Sequence, residues 1–283
     1  MGKRLGIIAG SGEVPFFIFK EVEKLGYFSL VAGIAGDAED SLADSIEKFQ
    51  LFAVNQIEDI IKYFKQEDIH EVLFAGKIDH RRIYEEQGFN ALVFDILSHS
   101  EDKSPTSLIS LAIEYLSKKG ITVLDPTKFL SSLFIDEGIL SKVKPTSQIE
   151  KDINFGWEKA RVLADLDIGQ TLVLKDRAVV AVEGMEGTDA AIRRGGELAG
   201  PGTVVIKLSR SMQDPRIDLP AVGVSTVREI VDAKCAALCV EAHTVAFFQK
   251  EESVSLANAS GITVVARKGK GIDFIQEWRK DNG

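Results

Sequence analysis

The first 125 residues repeat one arrangement: a short apolar run, a turn, then a longer stretch whose charged residues are spaced as on a helix. RLGIIA (4–9) leads through Gly10-Ser11-Gly12 into EVPFFIFKEVEKLG. FSLVAGI, LFAV (51–54) followed by IEDIIKYFK, EVLFAG (71–76), SLISLAIEYLSKKG and ITVL (121–124) continue the alternation. Strands that alternate with helices need crossover connections, and such connections build a parallel sheet covered on both faces. The expectation for residues 1–130 is a Rossmann-like parallel-sheet domain.

That alternation lapses after Pro126. Residues 131–150, with Pro145 and a helix start at Thr146-Ser147, form the expected linker. A chain of 283 residues favours two domains over one. In the second half, TLVL and AVVAVE flank Asp176-Arg177, which predicts an antiparallel hairpin with a two-residue turn. TVVIKL (203–208), a helix from about Ser225, ALCV and ITVVA (262–266) follow. The fold class is thus α/β, with a mixed α/β C-terminal domain over 151–283.

Charge and cysteine usage narrow the partners. With 43 acidic and 34 basic side chains the net charge is -9, which repels nucleic-acid phosphate except at a local cationic site. No window approaches the roughly 18–20 apolar residues of a spanning helix, and the apolar run before Gly10 is too short for a signal-peptide core. The expected location is the cytoplasm. Cys235 and Cys239 support neither a disulfide scaffold nor a zinc site and read as core residues, and the four histidines show no metal-ligand spacing.

Three stretches carry the chemistry. Gly10-Ser11-Gly12, at a strand-to-helix turn, is a candidate phosphate cradle, because glycines admit close backbone approach and a helix N-terminus presents N–H groups. Pro15 stands where a dinucleotide fingerprint needs a small residue. Gly76-Lys77 closes another strand, on the edge where open α/β sheets gather ligands. The second stretch, VEGMEGTDAAIRRGG (182–196), sets Glu183, Glu186 and Asp189 at three-residue intervals ahead of Arg193 and Arg194, with Gly187 and Thr188 opening a helix. The third, KLSRSMQDPRIDLPAVG (207–223), places Lys207, Arg210 and Arg216 among Gln213, Asp214 and Asp218 in a proline-stiffened loop. Each also has a plain reading, as a tight turn, a solvated helix start or a polar surface loop.

Taken together, G-I-I-A-G-S-G-x-x-P, D-I-G-Q (167–170), V-E-G-M-E-G-T-D-A-A-I-R-R and Q-D-x-R-x-D-L-P-x-V-G resemble the LpxI family, the UDP-2,3-diacylglucosamine pyrophosphatases of lipid A synthesis. The resemblance runs from about residue 4 to residue 266. It implies a membrane-associated cytoplasmic enzyme that uses a divalent cation, typically Mg2+, to split UDP-2,3-diacylglucosamine into UMP and 2,3-diacylglucosamine 1-phosphate (lipid X). It also implies a uridine-nucleotide-binding N-terminal domain, a catalytic C-terminal domain, and an essential aspartate at Asp218. Peripheral contact with the inner membrane goes with it, and a homodimer is a candidate assembly. The tail after residue 267 has no matching motif, and Arg267, Lys268, Lys270, Arg279 and Lys280 beside Phe274, Ile275 and Trp278 make a candidate contact with anionic lipid.

A pyrophosphate diester carries two negative charges, so carboxylates alone would repel it. Mg2+ prefers oxygen ligands and commonly takes one or two carboxylates beside substrate phosphates and water. Asp218, Asp189 and Glu183 are the candidate metal ligands. Asp218, Asp214, Arg216 and Lys207 are the candidate catalytic groups, and Gly10, Ser11, Gly12, Lys77, Gly187, Thr188, Arg193, Arg194 and Gln213 the candidate substrate contacts. Asp218 has two open roles, metal ligand or general base. Two rival readings stand: an NAD-dependent or nucleotide-sugar-modifying enzyme, against which Pro15 counts, and a non-catalytic nucleotide-binding module.

Overall fold

A computed structural model describes residues 3–38, 40–78 and 105–269. The chain divides into two compact units, Met1–Ser131 with Asp214–Asp218, and Ser132–Gln213 with Leu219–Gly283.

The first unit holds a five-stranded parallel sheet of β1 (Arg4–Ala9), β2 (Phe28–Ile34), β3 (Phe49–Phe52), β4 (Glu71–Ala75) and β5 (Thr122–Val123), in the order β3-β2-β1-β4-β5. Among the described residues its helices are α1 (Val14–Lys24), α2 (Asp40–Ser45), α3 (Ile57–Gln66) and α4 (Pro105–Lys118). α1 forms because Pro15 fits a first helical turn and Pro15, Ile18, Phe19 and Val22 fall on one buried stripe. In α3 the buried stripe is Ile60, Ile61 and Phe64. The sheet steps outward from β1 in one direction through β2 and β3 and in the other through β4 and β5, so the order reverses between β1 and β4. β3 lies two residues earlier than the apolar run LFAV suggested: Phe49 and Phe52 supply its packing side chains, and the chain turns at 54–55.

The second unit is built on a six-stranded mixed sheet, β6-β13-β11-β9-β7-β8. Its strands are β6 (Gly138–Ile139), β7 (Thr171–Lys175), β8 (Ala178–Val182), β9 (Val204–Lys207), β11 (Ala237–Glu241) and β13 (Thr263–Arg267). β10 (Ala221–Val222) and β12 (Ala246–Phe247) form a small parallel pair beside it. The helices are α5 (Ser147–Asp165), α6 (Thr188–Ala199), α7 (Val224–Asp232) and α8 (Lys250–Ala259).

Strand alternation sorts the side chains into two layers. Leu172, Leu174, Val204, Ile206 and Cys239 pack with Ile149, Ile153, Trp157 and Ala160 of α5. Val173, Val205, Leu238 and Val240 pack with Ile192 of α6, Val227 and Ile230 of α7 and Ala257 of α8. α5 begins as the sequence indicates, with the Thr146 hydroxyl accepting from the Ile149 amide, a cap that contributes about 1 kcal/mol. The β7–β8 hairpin turns at Asp176 (φ 51°) and Arg177 (φ 60°), the left-handed pair of a type I′ turn. Asp152 of α5, buried at 2% exposure, accepts from both turn amides, Arg177 at 2.7 Å and Asp176 at 3.3 Å. Both cysteines are buried, as core residues should be, and burial pushes the Cys239 thiol up to about 12.

Among the described residues, no helix is long and apolar enough to cross a membrane. The tail from residue 270 lies outside the described residues, and so does the candidate lipid contact apart from Arg267 and Lys268.

Candidate functional site

In the first unit the carboxyl ends of β1 and β4 bring the two glycine-bearing turns of the sequence together. Ser11 and Lys77 form an antiparallel bridge: the Ser11 amide donates to Lys77 O at 2.7 Å and the Lys77 amide to Ser11 O at 3.0 Å. The Ser11 hydroxyl also donates to Lys77 O, at 3.0 Å, and the Gly10 amide donates to Ala75 O at 2.8 Å. A Cβ on Gly10 would stand 2.2 Å from Lys77 O, so only glycine lets these two turns meet. The sequence predicts close approach of these glycines to a phosphate. The observed close approach is of backbone to backbone, at the switch point where ligands of such sheets bind, with Gly12 at the tip and α1 beginning just beyond.

Asp214–Asp218 is grouped with this unit. Arg216 grips Asp214 as a fork, Nε to Oδ1 at 3.0 Å and Nη2 to Oδ2 at 2.7 Å, and the Arg216 amide adds a bond to Oδ1 at 3.0 Å. Hydrogen bonding from Arg216, opposed by partial burial, holds the Asp214 carboxyl below the usual carboxylate range. The Ile217 and Asp218 amides donate back to Asp214 O at 3.0 and 3.3 Å, closing a tight turn that leaves Asp218 exposed.

In the second unit, Thr171 and Lys207 are direct cross-strand partners at the ends of β7 and β9, on the sheet face covered by α6. The Lys207 ammonium is buried at 6% exposure and donates to Thr188 Oγ1 at 2.7 Å and Thr171 Oγ1 at 3.3 Å. Thr188, the first residue of α6, passes its own hydroxyl proton toward Glu183 Oε1 at 2.9 Å. Glu183 Oε2 lies 3.9 Å from Lys207 Nζ and is buried with no hydrogen-bond donor. Burial drives the Glu183 carboxyl upward, but the Lys207 charge, the Thr171 and Thr188 hydroxyls and the Gln170 amide outweigh it and hold it below its ordinary value.

The charges of residues 182–196 therefore part three ways. Glu183 turns in to Lys207. Glu186 accepts from the Gly184 amide at 3.1 Å and from Arg194 at 2.5 Å, and Arg194 also donates to Val182 O. Arg193 reaches Glu229 of α7 at 2.8 Å, while Asp189 sits exposed in the first turn of α6 behind Gly187. The exposed arginine pairs contribute roughly 0–1 kcal/mol each, so an anion can take either guanidinium at little cost. Gln213 ends the loop that leaves β9, its Oε1 accepting from the Arg210 amide and Nε and from Gln170.

Sequence reasoning missed several groups of this unit. Arg161 of α5 donates to Ser209 O and to Glu241 Oε1, and Glu241 Oε2 accepts from the Ser209 amide at 3.1 Å. Asp165 takes the Ser211 amide at 2.6 Å and its hydroxyl at 2.9 Å. Thr171 is marked by the sequence only as a strand residue. No local pattern marks these partners, since 32 to 80 residues separate them along the chain.

The fold and site together define a two-unit α/β protein: a parallel sheet with a switch point, and a mixed sheet carrying a buried ammonium–carboxylate group beside polar loops. The LpxI N-terminal domain matches residues 4–133 and the LpxI C-terminal domain residues 136–265. The chain belongs to the LpxI family. It is 28% identical over 279 residues to "UDP-2,3-diacylglucosamine pyrophosphatase LpxI" of Caulobacter vibrioides, covering 93% of this chain and 97% of that protein. Among solved structures, CobK precorrin-6A reductase aligns over 99% of this chain and 97% of its own at 10% identity, with a TM-score of 0.35, which carries no argument.

Proposed function

We propose that this chain hydrolyses the pyrophosphate bond of UDP-2,3-diacylglucosamine, releasing UMP and 2,3-diacylglucosamine 1-phosphate (lipid X) for lipid A synthesis. The observation that carries the reading is the match of both LpxI domains, in order, along nearly the whole chain, together with a pyrophosphatase relative matched over almost its full length. The switch point between β1 and β4, with Gly10, Ser11, Gly12 and Lys77 at its rim, suits the uridine nucleotide. Location in the cytoplasm with peripheral contact to the inner membrane follows from a diacylated substrate and is part of the proposal.

Water attacks phosphorus slowly unless charge is neutralised and the nucleophile is held in line. Lys207, Arg193 and Arg194 are the proposed phosphoryl contacts of the second unit, which also carries Gly187, Thr188 and Gln213, and Arg216 is the proposed phosphoryl contact of its own segment. Asp214, already forked to Arg216, serves to orient that guanidinium and is a poor proton acceptor with its lowered carboxyl. Asp218 is left as the proposed base or metal contact. Among the described residues no three His, Cys, Asp or Glu side chains come together as a group that could hold a metal ion. Mg2+ does not need three, and the unbonded buried oxygen of Glu183 is the kind of donor it takes. Each of Asp218, Asp189 and Glu183 is therefore proposed as a single oxygen donor beside substrate phosphate and water, not as one of three converging ligands. When bound, the cation would offset phosphoryl charge and lower the pKa of a water.

Incubation with UDP-2,3-diacylglucosamine, with and without chelator, tests this. UMP should appear, stop with EDTA and return with excess Mg2+. No UMP from an active-folded protein that UMP nevertheless stabilises thermally would favour a non-catalytic module, and chelator-insensitive release would remove the cation.

A further inference from the structure

We propose that the turn Asp167–Gln170 is the positioning element that couples the buried Lys207–Glu183 group to the 208–213 loop; this rests on the hydrolase reading above. The turn engages both partners at once. Gln170 O accepts the Leu208 amide at 3.0 Å, carrying the β7–β9 pairing one step past Thr171 and Lys207. Its side-chain amide donates to Gln213 Oε1 at 3.4 Å, the same oxygen that takes the Arg210 amide at 3.3 Å and Arg210 Nε at 3.1 Å. Asp167 Oδ1 meets Arg210 Nη1 at 2.8 Å. On its other side the turn abuts the end of β8: a Cβ on Gly169 would stand 2.0 Å from Glu183 O, so no other residue fits without moving the segment that bears Glu183. A shift of this turn would therefore displace the Glu183 backbone and the Arg210–Gln213 loop together.

Asp167 has φ 57°, a left-handed conformation that asparagine shares readily, so Asp167→Asn removes the charge without straining the backbone. Asp167 is about half exposed (53%), so the Arg210 pair itself adds little to global stability. A purely structural turn then predicts unchanged turnover. The positioning role predicts a kcat lower by about 10- to 100-fold on UDP-2,3-diacylglucosamine, with KM nearly unchanged and the same Tm. It also predicts faster tryptic cleavage after Arg210 in the native protein, which needs no substrate. In the cycle of Asp167→Asn with Arg210→Gln, the double variant should lose no more kcat than the worse single. Wild-type kcat in Asp167→Asn, or additive losses in the cycle, overturns the proposal. If the wild-type chain shows no hydrolysis, it is the functional reading that fails, and the cleavage rate alone then decides: equal rates overturn the coupling and faster cutting supports it.

Discussion

Asp218→Ala is expected to lower kcat by about 10²–10⁴-fold, the range for loss of a proton-transfer group, while substrate binding persists. Two aspartates lie four apart in the Q-D-x-R-x-D segment, and the structure separates their duties. Both Asp214 oxygens are held by Arg216, whose hydrogen bond keeps that carboxyl ionised and weakly basic. Asp218 closes the same turn through its amide and stands exposed at its end. The residue is exposed, so the far-UV spectrum and Tm should stay close to the parent's. Asp218→Asn, which keeps the shape and loses the charge, should be equally slow. A folded Asp218→Ala protein with near-parental turnover would take this residue out of the reaction.

Lys207→Met is expected to cost about 3–5 kcal/mol of folding stability, a large share of what a protein of this kind has. Methionine fills the lysine's volume but leaves Glu183 as a buried carboxylate with only hydroxyl and amide partners. Adding Glu183→Gln should recover most of the loss, because the uncompensated charge is then gone. The response to acid has a definite sign. In the parent the Glu183 carboxyl is depressed, so its contribution is present above the ordinary carboxylate range and is lost as pH falls through the depressed value. In Lys207→Met the charge that does most to hold the carboxyl down is gone, so the carboxyl is expected to rise from its value in the parent. Protonation then relieves the variant, and the stability gap between the two proteins should shrink as pH drops. Urea titrations at neutral and mildly acid pH measure both effects, and a neutral-pH loss below about 1 kcal/mol would show that Glu183 does not depend on Lys207.

The elements legible in the sequence were those with a strong local cause. RLGIIA and FSLVAGI are strands over the residues expected, and the Asp176-Arg177 hairpin and the Thr146 cap fall where their turn and capping chemistry put them. α8 went unseen for a physical reason. Its buried positions, Ser253 and Ala257, form no apolar stripe, and it starts at Gln249, a left-handed residue whose side chain makes no cap. The two-residue strands β6, β10 and β12 are too short to show any period.

At the site, residue types were readable and partnerships were not. Glu183, Glu186 and Asp189 stood out as acids near arginines, yet Glu183 answers to Lys207 and Arg193 to Glu229, each supplied by a different part of the fold. Gly10 was notable as a turn glycine, but only the approach of Lys77 O explains it. D-I-G-Q was visible as a motif with no assigned task until Gln170 and Asp167 were seen against Gln213 and Arg210.

The two cysteines are the only ones in the chain, and both are sealed in the core with the Cys239 thiol raised to about 12. Native protein should therefore be silent to maleimides, as a mass spectrum after overnight treatment would verify. Any cysteine engineered onto an exposed helix becomes the sole reactive handle, so dye or spin-label pairs can report distances within this enzyme without first stripping out its native thiols.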